Sequence, residues 1–390
     1  MFNFKKQSGS IMPVTAFAMV AAMGMTGLVF DSSHLFSNKT KLQNMLDAAV
    51  MGSAKVLDDT GNQFLARQAA NRIITNNLDQ PSFRELKELG LTANNMVVQF
   101  SDTRNPFVAN PAATRFVRIR LNEDIIEIDT IFLNMFGVEE FKLAGSAVAG
   151  PSPALGTVCN IVPSVICGDP DEEPDNDGMF GYEYGDQVTL ALGNTQNNDV
   201  GPGNYQLIDL GFSGNSTKLR ESLAGDSSGC ASSDGNVETK PGVNRGPVAQ
   251  GINTRFGIYT GPVAADDYPP DLVVDAGAPN YPDTYAEYQF DYMIKNYDEP
   301  AAGVEERRVL AVTFGNCDGT VNGSGNVELI GFGCVFLNQP AVNNNALQTV
   351  QVTGELVREC RASGVPGPAP VDGPGVHTIQ LYGDPDRWDS

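Results

Sequence analysis

Alternating acidic residues in the middle of the chain resemble part of a metal site. Glu173, Asp175 and Asp177 place carboxylates at every second position before Gly178. The first half of a calcium loop has this pattern, because oxygen ligands surround the hard cation and the glycine permits a sharp turn. Glu183 falls one position short of the bidentate glutamate that ends such a loop. The segment is therefore either a calcium site or a solvated acidic loop, and we favour the loop.

Six cysteines offer a second kind of chemistry. All of them lie beyond residue 150, at Cys159, Cys167, Cys230, Cys317, Cys334 and Cys360. An even number of cysteines confined to one part of a chain is typical of disulfides on an oxidising side of a membrane. Zinc is the alternative, but no two cysteines have the spacing of a ligand pair, and His34 and His377 are the only histidines. The sequence favours disulfides and leaves their connectivity open.

Motifs for enzymatic catalysis are scarce. The sequence contains no His-Glu-x-x-His, no phosphate-binding Gly-x-x-x-x-Gly-Lys and no dinucleotide-binding Gly-x-Gly-x-x-Gly pattern. With two histidines, acid–base catalysis would fall to carboxylates, which an acidic surface has in abundance. We therefore predict a protein without enzymatic activity and keep a carboxylate-based glycosidase as the alternative.

An uncharged segment near the N-terminus is long enough to cross a membrane. Ile11 to Phe30 contains no Asp, Glu, Lys or Arg, and a helix of this length spans about 30 Å, the thickness of the hydrocarbon core. A cleaved signal peptide is the alternative, but Asp31 follows directly and the Ala-x-Ala at 16–18 lies inside the run. We therefore predict a retained transmembrane helix over residues 10–31 and a cytoplasmic tip over residues 1–9.

Charges indicate the orientation and exclude one class of partner. Lys5 and Lys6 precede the span, so the positive-inside tendency places the N-terminus in the cytoplasm and the bulk in the periplasm or outside the cell. Residues 1–150 carry 14 basic and 14 acidic side chains, whereas the rest carries 11 and 33. Such an acidic surface repels phosphate backbones, so we predict no nucleic-acid partner. The predicted location is the inner membrane, with a single pass.

Helical periodicity continues beyond the membrane. From Leu42 to Leu57, apolar and small residues recur at three- and four-residue spacing, which predicts one helical rod from Ser10 to Leu57. Small residues four positions apart allow another helix to approach closely. The predicted packing pairs are Ala18 with Ala22 in the membrane and Ala48 with Gly52 outside it.

The residues after the rod predict two domains of different composition. Helices are predicted at Asn62–Asn77, Pro81–Leu89 and around Thr130–Phe136, and strands at Met96–Phe100, Thr114–Leu121 and Glu139–Ala149. A linker is predicted at Gly150–Pro153. Beyond it, strands are predicted at Gln187–Leu192, Tyr205–Leu210, Ala286–Ile294, Arg308–Phe314, Val327–Leu337 and Leu347–Val357. We therefore predict two regions after the membrane. Residues 32–150 form a helical stalk with an α+β module, and residues 151–390 form an acidic, β-rich periplasmic domain.

Three short segments near the N-terminus occur together in a known family. They are Gly9-Ser10 before the apolar helix, Gly-Leu-Val-Phe-Asp at 27–31, and Leu-Gln-Asn-Met-Leu-Asp-Ala-Ala at 42–49. This part resembles the TadE/TadG-like proteins of tight-adherence (Flp-type) pilus assembly. Distal segments such as Gly-Pro-Gly-Asn-Tyr at 201–205 and Gly-Phe-Gly-Cys at 331–334 are similar to long TadG-like members.

The resemblance implies a non-enzymatic, pseudopilin-like accessory component of the pilus machine, with a pilin-like module at 32–150. Its implied partners are other pilin-like and pilus-assembly membrane proteins, together with the bilayer around the N-terminal helix. The alternative is a membrane-anchored adhesive or ligand-binding module, which a cluster of distal tyrosines on one exposed face would favour. The predicted fold class is α+β, with a long transmembrane helix, a small α+β module and a β-rich, loop-rich distal domain containing disulfides.

Overall fold

The chain forms two compact units, described here from a computed structural model. Unit 1 contains Met1–Pro151 and Ile379–Ser390, and unit 2 contains Ser152–Thr378. The structure describes residues 11–122, 126–175, 177–192, 206–211, 215–226, 229–242, 244–274, 284–294, 303–317, 325–344, 349–367 and 375–386. The predicted fold class is confirmed, because a long apolar helix precedes mixed helix and sheet, and the disulfides lie in the sheet-rich part.

The helices and the strands of unit 1 follow one another along the chain. Helices α1 to α6 span Ile11–Thr60, Gln63–Leu78, Arg84–Glu88, Ser216–Ala224, Arg245–Asn253 and Tyr285–Ile294. Short 3-10 turns span Pro81–Phe83, Ala93–Asn95, Leu133–Phe136 and Thr254–Phe256. Strands β1 to β5 span Met96–Ser101, Phe116–Leu121, Glu127–Asp129, Glu140–Lys142 and Ser146–Pro151.

The strands of unit 2 are short and numerous. Strands β6 to β13 span Leu155–Cys159, Val165–Cys167, Gly178–Met179, Tyr182–Glu183, Gln187–Leu192, Ile208–Asp209, Cys230–Ser232 and Asn236–Thr239. Strands β14 to β20 span Val309–Asn316, Asn326–Phe336, Val342–Asn344, Thr349–Val357, Glu359–Arg361, Ser363–Pro366 and Gly375–His377. The last strand, β21 at Ile379–Tyr382, belongs to unit 1.

Helix α1 changes character along its length. Up to Phe30 its side chains are mostly exposed, whereas Leu42, Met45, Leu46 and Leu57 have no exposed surface. The buried residues recur every three or four positions, so one stripe of the helix faces the core of unit 1. The chain then turns at Gly61, whose φ is 60°, and the Asn62 side chain accepts the N–H groups of the first turn of α2.

The core of unit 1 lies between this helix pair and an antiparallel sheet. The sheet order is β1-β2-β5-β21, and α1 packs against β2, β5 and β21. Gly145 precedes β5, and a Cβ there would lie 2.8 Å from Leu46 Cδ1, so the missing side chain lets the backbone approach α1. The helix and the sheet therefore bury each other's apolar sides.

The C-terminal strand and the predicted linker differ from the sequence-based boundaries. Residues 379–390 are predicted to belong to the distal domain, whereas in the structure β21 pairs with β5 and belongs to unit 1. Within the predicted linker, Gly150 and Pro151 end β5 and pair with Gln380 and Ile379. The pairing of residues so distant in sequence could not be read from local composition.

Unit 2 is organised around an eight-stranded mixed sheet. Its main path is β10-β17-β15-β13-β11, β14 pairs with both β15 and β7, and β16 pairs with β17. Because side chains alternate between the faces of a strand, β15 contributes to two cores. Val335 packs with one cluster, whereas Cys334 and Phe336 pack with the other. Both faces of this sheet are therefore buried.

One predicted strand of unit 2 is wrong. Residues 286–294 lie in helix α6. Thr284 and Glu287 form a reciprocal N-terminal cap, because the Glu287 N–H donates to Thr284 Oγ1 at 3.2 Å and the Thr284 N–H donates to Glu287 Oε2 at 3.2 Å. The tyrosines at 285, 288 and 292 also have helical spacing. The aromatic composition favoured a strand, but the cap and the spacing indicate a helix.

Candidate membrane-interaction site

The first part of α1 carries a long exposed apolar surface. Ten large apolar side chains between Met12 and Phe30 are each 50–82 % exposed. They are Met12, Val14, Phe17, Met19, Val20, Met23, Met25, Leu28, Val29 and Phe30. Soluble proteins rarely leave such a continuous apolar surface in water. The length and the apolar composition of this helix fit a membrane anchor, as predicted from the sequence.

Asp31 marks the end of this exposed surface. Its side chain is only 4 % exposed, although it directly follows the uncharged run. Its carboxylate oxygens accept the backbone N–H groups of Ile131, Phe132 and Leu133 at 3.1, 3.0 and 2.7 Å. A carboxylate that accepts three backbone N–H groups fixes the position of that backbone. Asp31 therefore ties the segment after Thr130 to α1.

The segment tied by Asp31 is an apolar loop, residues 131–138, which we call the aromatic loop. Phe132 packs on Gly27, where a Cβ would lie 2.4 Å from Phe132 Cβ, and Phe136 packs on Gly24, where a Cβ would lie 3.2 Å from Phe136 Cζ. The rings of Phe30 and Phe132 meet edge to face with centroids 5.7 Å apart. The two glycines thus let the loop lie directly on the helix backbone. The sequence predicts a short helix around Thr130–Phe136 but does not predict this contact.

The predicted helix-packing residues have two different environments. Ala18, Ala22 and Ala48 are exposed on α1. Gly52 faces α2, and a Cβ there would lie 2.3 Å from Ile73 Cδ1. Gly52 therefore serves the close approach of two helices within unit 1. Packing of these residues against another protein stays a prediction.

The predicted calcium residues lie together on an exposed loop of unit 2. Glu173, Asp175 and Asp177 are all exposed, and Asn176 between them lies outside the described residues. Asp175 Oδ1 accepts the N–H groups of Asp177 and Gly178 at 2.8 and 2.9 Å. These hydrogen bonds lower the pKa of Asp175 because they favour its charged form. One carboxylate oxygen therefore holds the turn itself, and calcium binding stays a prediction.

All six cysteines are paired, so the predicted disulfides are present. Cys159 pairs with Cys230, Cys167 with Cys317, and Cys334 with Cys360. The first bridge joins residues that face each other in the antiparallel pair β6 and β12. The second joins the last residue of β7 to the residue that follows the parallel strand β14, across 150 residues of sequence. The bridges therefore connect elements of unit 2 that are far apart along the chain.

Buried charged groups in unit 2 have shifted pKa values, which are a common feature of active sites. Burial raises the pKa of Asp271 and lowers that of Arg255 to about 9. Asp271 accepts the Arg308 N–H at 2.9 Å and the Tyr288 hydroxyl at 3.2 Å. The Arg308 guanidinium lies 4.6 Å from the Phe336 ring centroid. These contacts fill the core around the charges, so the cluster has a structural role.

One sequence pattern typical of a serine nucleophile escaped the sequence analysis. Gly-x-Ser-x-Gly occurs once, from Gly225 to Gly229. In α/β-hydrolases this pattern turns a strand into a helix and exposes the serine at the bend. Here it runs in the opposite order, because Gly225 ends α4 with a φ of 115° and β12 follows. Ser227 and Ser228 lie outside the described residues. The pattern lacks the context of a nucleophile elbow.

Comparison with known proteins identifies the N-terminal region. Residues 9–55 match the model of a family described as putative Flp pilus-assembly TadE/G-like. The resemblance predicted from the sequence is confirmed over these residues. They include the exposed apolar part of α1 and most of its buried part. No curated protein and no solved structure matches the chain.

Proposed function

We propose that this chain is a non-enzymatic, pseudopilin-like accessory component of a Tad-type (Flp) pilus assembly machine. Residues 10–31 anchor it in the inner membrane, with the N-terminus in the cytoplasm and the residues after the anchor on the other side. The observation that carries the proposal is the family match over residues 9–55, which coincides with the exposed apolar surface and the following core stripe of α1.

Continuity of α1 supports a mechanical link between the anchor and unit 1. The helix runs without interruption from Ile11 to Thr60, which corresponds to about 75 Å at the usual rise. A displacement or rotation of the membrane segment is therefore transmitted directly to the core of unit 1. The exposed small residues Ala18 and Ala22 offer a place where another membrane helix can approach closely.

The described tyrosines of unit 2 favour the assembly role over the adhesive alternative. A recognition face would expose several aromatic side chains together. Instead, Tyr288 is buried, and the other described tyrosines of the unit are half-buried, namely Tyr182, Tyr184, Tyr259, Tyr268, Tyr285 and Tyr292. The hydroxyls of Tyr182 and Tyr259 donate to backbone carbonyls at 2.8 Å. Tyr281 lies outside the described residues. These tyrosines contribute to packing within the unit.

Deletion of the gene, followed by a piliation assay, tests the proposal. Loss of assembled pili is expected, and it should be restored by the wild-type chain but not by a chain lacking residues 11–30. Protein abundance must be measured in each strain, because an unstable variant also fails to assemble pili. Normal pili in the deletion strain would contradict the assembly role. Normal pili with lost surface attachment would favour the adhesive alternative.

A further inference from the structure

We propose that the aromatic loop, residues 131–138, inserts into the leaflet from which α1 emerges, so that unit 1 has a second contact with the bilayer. The loop exposes Ile131, Met135 and Phe136 by 61 %, 84 % and 62 %. Its own sequence, Ile-Phe-Leu-Asn-Met-Phe-Gly-Val, contains no charged residue. This inference rests on the proposed membrane anchor. The molecules that cover the exposed side chains of the loop are lipids.

The depth of the loop along α1 is the first argument. Phe136 contacts Gly24, which precedes Asp31 by about 10 Å along the helix. If the uncharged run of about 30 Å fills the hydrocarbon core, Gly24 lies inside it. A ring that touches Gly24 must then lie among lipid chains. Peripheral helices bury their apolar side about 5 to 10 Å into the same boundary region.

The hydrogen bonds of the loop backbone are the second argument. Lipid supplies no hydrogen-bond partner, so backbone groups at membrane depth must be satisfied within the protein. The N–H groups of Ile131, Phe132 and Leu133 donate to Asp31. The N–H groups of Gly137 and Val138 donate to loop carbonyls at 3.0 and 3.2 Å. The structure therefore meets the condition for burial in lipid at these groups.

The charges that flank the loop set a limit to its depth. Asp129 precedes it, and Glu139 and Glu140 follow it on the paired strands β3 and β4. The charge of Glu127 raises the pKa of the nearby Glu140, so these carboxylates stand close together. Such groups stay in water, which confines insertion to the loop tip. They also repel anionic headgroups, so insertion should not depend on anionic lipid.

Tryptophan quenching by brominated lipids tests the insertion. The chain has a single tryptophan, Trp388, so Trp388→Phe gives a silent background. Three full-chain variants are built on it: Met135→Trp in the loop, Leu28→Trp in the anchor, and Phe64→Trp on α2. Phe64 is a matched control because it is also an exposed apolar residue of unit 1, at 65 %. Each protein is placed in phosphatidylcholine vesicles brominated either near the glycerol end or near the centre of the chains.

The expected result is that Met135→Trp and Leu28→Trp lose fluorescence while Phe64→Trp does not. The loop position should respond more to the shallow bromines than to the central ones. Quenching of Leu28→Trp without quenching of Met135→Trp would overturn the loop proposal and leave the anchor intact. The loop proposal is also overturned if Met135→Trp emits as a buried tryptophan yet remains unquenched, because another copy of the chain would then cover the loop. Absence of quenching at both positions would overturn the membrane anchor as well.

Discussion

The two units of this chain are stabilised by different means. Unit 1 contains no cysteine, and its core depends on the buried stripe of α1 against an antiparallel sheet. Unit 2 has three disulfides, and its sheet buries both faces. A long helix supplies many local contacts at once, whereas short strands from distant parts of a chain must close large loops before they pair. Covalent bridges offset part of that entropy in unit 2.

Reduction of the disulfides should show the largest difference in stability between the two units. Removal of a native disulfide typically costs about 2 to 5 kcal/mol, and unit 2 has three such bridges. Treatment of the full chain with a reductant should therefore unfold unit 2 while unit 1 remains folded. Hydrogen exchange read by mass spectrometry should show lost protection in β14, β15 and β17 and retained protection in β1, β2 and β5.

A matched control for reduction is the alkylated but unreduced protein, in which both units should stay protected. The proposed difference in stability between the units would be contradicted if unit 1 lost protection from hydrogen exchange together with unit 2. It would also be contradicted if unit 2 kept its protection after all six cysteines had been labelled, because the bridges would then contribute little to its stability.

Charges in the anchor should have the next largest effect. Ala18→Arg with Ala21→Arg places two guanidiniums on the exposed surface of α1 at membrane depth. On the translocon scale this costs about 5 to 7 kcal/mol of insertion free energy. Carbonate extraction should release the variant from membranes, whereas Ala18→Leu with Ala21→Leu should remain. Only the leucine variant should keep its disulfides, because a chain that fails to insert stays on the reducing side of the membrane. Retention of the arginine variant in the membrane pellet would contradict the anchor.

Local patterns in unit 1 made most of its fold predictable. The uncharged run and the helical spacing from Leu42 to Leu57 predicted one rod, and α1 extends from Ile11 to Thr60. Asn62 was placed at the start of the second helix and caps it. The aromatic loop is not predicted as a site, because no local pattern in the sequence links Gly24 and Gly27 to residues more than 100 positions away. The contacts of Gly24 with Phe136 and of Gly27 with Phe132 exist only in the folded structure.

Unit 2 was less predictable because its signals are not local. Strand Gln187–Leu192 was predicted with its observed bounds, but α4 and α5 were not predicted. Helix α4 has recognisable end signals in the cap Asn215 and in Gly225, yet it has few apolar residues between them. The pairing of the cysteines likewise depends on which strands lie together. Sequence spacing contains no such information.

A single bulky substitution on α1 distinguishes packing within unit 1 from packing with a partner. Gly52→Leu should destabilise unit 1 by about 1 to 3 kcal/mol, because its side chain would overlap Ile73. Ala48→Leu, on an exposed position of the same helix, should leave thermal unfolding nearly unchanged. If another helix packs on Ala48, this variant should still impair piliation at normal abundance. Equal stability of the two variants would contradict the α1–α2 contact.

The smallest effect is expected at the acidic loop of unit 2. Asp175→Asn keeps a carbonyl oxygen that can accept the N–H groups of Asp177 and Gly178, and Asp177 is exposed. Asp175→Asn with Asp177→Asn should therefore lower the thermal midpoint at pH 7 only slightly. The hydrogen bonds lower the folded pKa of Asp175. Its stabilising contribution is therefore present above the ordinary carboxyl pKa and disappears as the pH falls through the folded value. The double variant should lose this acid sensitivity.

Added calcium should change the thermal midpoint of neither protein if the loop is only solvated. A rise in the midpoint of the wild type alone would show that the loop binds calcium.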